Sequence, residues 1–192
     1  MKVLVVSKTH VWNGACVGGV TEQGHSVRLK QADGSFPGAD LYQIGQIWDM
    51  EYTAQPDRPP HVEDVLVTRS QLIGTQPSLR QHLLGRFRPQ QGPVGGLFDG
   101  HLGTTSNGSC YISGRSEVPN YSTGFWLPDV NLRFESNYYW YGPYRLKYVG
   151  FDDPTPLIPA GTLVRVSLAR WWAPADATVE ERCYLQLSGW YV

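Results

Sequence analysis

Arginine, lysine and aromatic side chains recur through the second half of this chain in a pattern suited to gripping a nucleic-acid strand. The set is Trp126, Tyr139, Trp140, Arg145, Lys147, Arg165, Arg170, Trp171 and Trp190. Flat rings stack on bases and cations meet the phosphate backbone, each stacked base contributing about 1–3 kcal/mol. Two or three exposed rings can therefore give useful affinity without a large net charge. A smaller group in the first half, Lys8, His10, Trp12, Arg28 and Lys30, lies near two adjacent strands and offers a second contact, with Arg28 and Lys30 as its strand-borne cations. The one set resembling acid/base or metal chemistry is His61, Glu63 and Asp64. On an extended segment His61 and Glu63 share a face and Asp64 does not, so the three read as structural hydrogen bonding or turn capping. No catalytic residue, metal or cofactor is expected. GACVGGV, residues 14–20, lacks both the Lys-Ser/Thr ending of a P-loop and the glycine spacing of a dinucleotide fingerprint.

The elements that must carry these side chains read as strands. In GTLVRVSLARWW, residues 161–172, Val164, Val166 and Leu168 share one face, and Arg165, Ser167, Ala169 and Trp171 the other. In CYLQLSGWYV, residues 183–192, Leu185 and Leu187 oppose Tyr184, Gln186, Ser188 and Trp190. With the aliphatic faces buried, Arg165, Trp171, Tyr184, Gln186 and Trp190 are expected to point outward. Residues 137–151 place Leu146 and Tyr148 inward and Arg145 and Lys147 outward, and residues 25–30 place Val27 and Leu29 against Arg28 and Lys30. Further strands are expected over 2–7, 15–20 and 46–53. Residues 61–72 read as leading into a helical segment with Thr68 as its cap. The best helical pattern is 78–84, behind Pro77. Residues 86–96 mix basic residues with breakers and mark a boundary between residues 1–90 and 91–192. The last loop is expected over 175–183.

Composition narrows the class. The chain has 192 residues, of which 41% are hydrophobic, enough to bury a core. Its formal net charge is -1, so bulk attraction to duplex DNA or an anionic membrane is not indicated. With 21 Gly, 14 Pro, 7 Trp and 11 Tyr, the expectation is an all-β chain of short strands and many turns. Cys16, Cys110 and Cys183 are isolated, which argues against a disulfide framework or thiolate zinc site and fits a reducing compartment. The apolar run Val3 to Val6 is too short for a signal peptide, and no stretch spans a bilayer, so a cytoplasmic protein without membrane contact is expected. Two halves of short strands match small Greek-key barrels, although periodicity leaves two barrels, one sandwich and one larger barrel open.

Several stretches resemble the prokaryotic dual OB-containing domain family. They are Ser7-Lys8 followed by GACVGG, VRL at 27–29, HVEDVLV at 61–67, LFDGHL at 97–102, YISG at 111–114 and STGFWLPD at 122–129, completed by VRVSLARWW and ERCYLQLSGWY. Family members often carry an aromatic residue and then Arg-Pro in the third strand, where this chain has His25-Ser26-Val27-Arg28-Leu29. The resemblance implies two OB-like barrels with short helices between them. It also implies nucleic-acid binding, in bacterial defence or mobile-element settings. The expected function is thus a non-enzymatic module for single-stranded DNA or RNA, or structured RNA, led by Arg165, Arg170, Trp171 and Trp190. The alternative is an adaptor that docks a larger protein through the same aromatic and arginine face, since such residues also dominate protein interfaces.

Overall fold

The computed structural model describes residues 1–175 and 178–192. Asp176 and Ala177, in the predicted last loop, lie outside the described residues. The chain divides into two compact units, Met1–Arg88 and Pro89–Val192.

The first unit contains β1 (Lys2–Val11), β2 (Gly14–Thr21), β3 (Ser26–Gln31), β4 (Gln46–Ala54), β5 (Asp64–Thr75) and the helix α1 (Leu79–Arg86). The strands close into a barrel in the order β1-β2-β3-β5-β4, with β3 and β5 parallel. This is a five-stranded Greek-key barrel of the OB type. Alternation builds its interior: Val3, Val5, Val17, Leu29, Met50 and Val65 point in and are buried. The helix expected within 61–72 is instead β5, which pairs with β4 from Ala54↔Val65 to Gln46↔Thr75. Thr68 caps nothing; its hydroxyl donates to the Glu51 carbonyl at 3.1 Å. The β-branched residues Val65, Val67, Thr68, Ile73 and Thr75 suit a strand, and long-range pairing overrides the local helical reading.

The second unit contains β6 (Gln90–Gly92), β7 (Gly103–Thr104), β8 (Cys110–Ser113), β9 (Thr123–Pro128), β10 (Leu132–Glu135), β11 (Tyr138–Tyr141), β12 (Tyr144–Tyr148), β13 (Leu157–Ile158), β14 (Leu163–Leu168) and β15 (Arg182–Tyr191). Within its sheet the run β10-β11-β12-β15-β14 repeats the order of the first barrel, again with the third strand parallel to the fifth. β9 pairs with the free side of β14, and after residues 129–131 the chain continues as β10. β9 and β10 thus act as two halves of one bent first strand, so the backbone itself joins the two ends of the sheet. β1 divides its pairing in a similar way, with Lys2–Leu4 meeting β4 while the strand also runs along β2. One core fills this unit, with Trp126, Leu132, Tyr139, Leu146, Val164, Val166, Leu185 and Leu187 buried together. The all-β expectation of two OB-like barrels describes both units.

One irregularity decides which face of β15 looks where. Arg165 pairs with Gly189 but Val166 pairs with Leu187, so Ser188 is an extra residue, a bulge. Its hydroxyl donates to the Arg165 carbonyl at 3.1 Å. A one-residue slip moves every later side chain to the opposite face. Trp190 therefore lies opposite the buried Val164, on the core side, and Tyr191 takes the outer side.

Candidate nucleic-acid interface

The outer face of the second barrel's second and third strands gathers most of the chemistry. Leu146 and Tyr139 point into the core, so their neighbours point away. Pairing sets Tyr138 opposite Lys147 and Trp140 opposite Arg145. The Arg145 guanidinium lies 4.5 Å from the centre of the Tyr138 ring, and its Nε donates to Ser109 Oγ at 2.9 Å. Ser109 is brought there by the turn before β8. The Arg145 amide donates to the Gly108 carbonyl at 2.9 Å, and Gly108 has φ +83°. A Cβ at Gly108 would sit 2.1 Å from the Pro143 carbonyl oxygen, so only glycine lets the two segments touch.

On the far side of β12, Tyr184 and Gln186 of β15 continue the face, and Arg170 and Trp172 from the connection between β14 and β15 close it. The result is a groove of about 590 Å³, within the usual size of ligand clefts. Three cations, Arg145, Lys147 and Arg170, line it, and among the described residues no carboxylate does. Trp172 is 53% exposed, with its ring 6.2 Å from that of Tyr184. Tyr184 in turn lies 5.9 Å from Tyr111, over which the Arg182 guanidinium sits at 4.1 Å. A ladder of rings and cations thus borders the groove. OB barrels bind oligonucleotides and oligosaccharides on the face of their second and third strands and on the loops between the first two and last two strands. This groove occupies that position.

The sequence-predicted residues separate cleanly. Trp140, Arg145, Lys147 and Arg170 share this face or its rim. Arg165 does not: it is 1% exposed, lying over the Phe125 ring at 5.3 Å, with Tyr191 6.0 Å from Phe125. β14 has a strand on either side and is covered on both faces, which overturns the expectation that its arginine faces solvent. Trp126 is fully buried and its indole N–H donates to the Gly92 carbonyl at 2.8 Å. Trp190 packs at 6.1 Å from Tyr139 and 5.6 Å from Tyr148, because the Ser188 bulge turned it inward. Trp171 is partly buried against the same core. Tyr138, Ser109 and Trp172 were absent from the predicted site. Tyr138 was legible, two residues from Trp140 on one strand, whereas Ser109 comes from a distant turn and carries no sequence signal.

In the first barrel Arg28 and Lys30 meet an internal anion. Arg28 Nε contacts Asp64 Oδ1 and Lys30 Nζ lies 3.0 Å from Oδ2, the carboxylate being 2% exposed. His61, 1% exposed, places Nδ1 3.5 Å from an Arg28 terminal nitrogen. Burial is the largest single influence on Arg28 and opposes its charge, but the hydrogen bond to Asp64 and the charge interactions with Cys16, Asp64 and Glu63 together outweigh it and hold the guanidinium above the ordinary arginine pKa. Lys8 is also buried, donating to the Ala39 carbonyl at 2.5 Å and Gln43 Oε1 at 3.1 Å, while Trp12 stands 98% exposed on the β1–β2 turn. The smaller predicted group is therefore not a single cationic patch.

The match to the dual OB-containing domain family runs over residues 1–190. The chain belongs to this family. No curated protein and no solved structure matches it. The family description accords with two barrels of one strand order, and an OB fold is a platform for binding. Among the described residues no helix is long and apolar enough to cross a membrane.

Proposed function

We propose that this dual OB protein is a non-enzymatic module that binds single-stranded nucleic acid along the outer face of its second barrel. The observation that carries the reading is the convergence of Arg145, Lys147 and Arg170 with Tyr138, Trp172 and Tyr184 in one groove at the position OB barrels use for oligonucleotides. Rings spaced along a cationic groove suit a strand whose bases are unpaired and free to stack. The net charge of -1 agrees with a local contact and not with long-range attraction to duplex.

The test is a titration of the full chain with single-stranded DNA, single-stranded RNA and duplex at two salt concentrations, followed by tryptophan fluorescence. A single strand is expected to quench Trp172 and to bind less tightly at the higher salt. Replacing Arg145, Lys147 and Arg170 together by Ala removes up to three phosphate contacts, so the slope of log K against log salt should flatten by about 2, at roughly 0.7 per phosphate on single strands. Binding to none of the three polymers would sink the reading and move weight to a protein partner docking on the same rings.

A further inference from the structure

We infer that Arg145 and Lys147 form a two-pronged clamp for one phosphate group, and that the first barrel carries the same clamp already filled by its own Asp64. The inference takes the phosphate's owner, a nucleic-acid strand, from the function proposed above.

The third strand of each barrel holds the same three residues. They are Arg28-Leu29-Lys30 in β3 and Arg145-Leu146-Lys147 in β12. Leu29 and Leu146 are both fully buried in their cores, so each Arg and Lys pair flanks its leucine on the outer face. Both strands run parallel to the fifth strand of their barrel. In the first barrel the residue opposite Arg28 is Asp64, and the two cations each take one oxygen of its carboxylate. In the second, Lys147 lies opposite Gln186, and Tyr184 sits two residues before that partner, as Asp64 sits two before Leu66, the partner of Lys30. There Tyr184 pairs with Tyr111 of β8 and Arg145 bridges to Ser109. The position held by an acid in one barrel is held by a phenol ring in the other.

A carboxylate and a phosphodiester both offer a pair of anionic oxygens to a forked cation pair. Asp64 therefore marks where an anion sits between such an arginine and lysine. The second clamp is held ready, its guanidinium fixed by Ser109 and the Tyr138 ring. The terminal guanidinium nitrogens of Arg145 and the ammonium of Lys147 have no protein partner among the described residues. The two barrels thus differ at this register position, an acid in the first and a phenol beside Ser109 in the second: the first neutralises its own cation pair, and the second leaves it to a ligand.

The test compares Tyr184→Asp, which installs the missing carboxylate, with Tyr184→Asn, which removes the same ring without charge. Two probes are used on the full chain: a twenty-residue oligothymidine followed by tryptophan fluorescence, and inorganic pyrophosphate followed by the Arg145 Nε–Hε nuclear magnetic resonance signal. Tyr184→Asp is expected to bind oligothymidine at least about tenfold more weakly than Tyr184→Asn, from the like charge placed at the phosphate position. Its Arg145 signal should also be shifted before any ligand is added. Equal affinity of the two variants, with oligothymidine still bound, overturns the clamp and leaves the single-strand reading standing. In the unaltered protein, a response of Arg145 to pyrophosphate without any oligothymidine binding supports the clamp and defeats the single-strand reading. Silence of Arg145 towards pyrophosphate overturns the clamp whether or not the variants fold.

Discussion

Replacing Asp64 by Asn should destabilise the first barrel more than any substitution on its surface. The carboxylate is 2% exposed and holds Lys30 at 3.0 Å and Arg28 at closer contact, the two side chains being 17% and 12% exposed. At 3 Å and an effective dielectric near 20, each pair is worth about 5 kcal/mol before desolvation is subtracted. Desolvation offsets much of that gain, and removing one partner from a buried pair costs about 3–5 kcal/mol, because charge is left uncompensated. The amide keeps one acceptor oxygen, so the lower end, about 3 kcal/mol, is expected. For a domain of this size each kcal/mol moves the melting temperature by roughly 4–8 °C, giving a drop of about 12–24 °C. Calorimetry on the full chain measures the shift, and hydrogen exchange at the Leu29 and Val65 amides assigns it to the β3–β5 pair. A drop of less than about 5 °C, with unchanged exchange there, would refute the reasoning. Replacing Arg28, Lys30 and Asp64 together by apolar residues of similar volume should cost much less than Asp64→Asn alone.

Two other outcomes follow from geometry and burial. Gly108→Ala sets a Cβ 2.1 Å from the Pro143 carbonyl at a backbone φ of +83°. It should lower stability by at least about 1–3 kcal/mol and loosen Arg145, read as weaker single-strand binding with the three cations still present. Burial raises the Tyr121 and Tyr139 hydroxyls to about 12, against about 10 for an exposed tyrosine. The unfolded chain then gives up these protons first. Their contribution to stability is intact below about pH 10 and is lost as pH climbs towards about 12. Urea melts at pH 9 and pH 11 should show the midpoint falling at the higher pH, with tyrosinate absorbance rising as the protein unfolds.

What the residues determined by themselves was local. Strict alternation around Leu29 and Leu146 was enough to set Arg28, Lys30, Arg145 and Lys147 on outer faces, because the side-chain period of a strand is two whatever it pairs with. The helix at α1 was equally legible from its apolar spacing behind Pro77. Three matters needed the tertiary structure. Residues 64–75 became a strand because a nine-residue partner, β4, lay beside them. Trp190 turned inward because one extra residue, Ser188, entered the ladder against β14, and a bulge has no signature in alternation until its partner strand is known. Arg165 and Arg145 are the same residue type on outward positions of two strands, yet one is buried against the Phe125 ring beside it and the other opens onto a groove. Exposure depends on what the rest of the chain lays over a face. The same holds for charge: Arg28 meets Asp64 across a parallel pairing, whereas Arg145 meets Ser109, and no short window of sequence contains either partner.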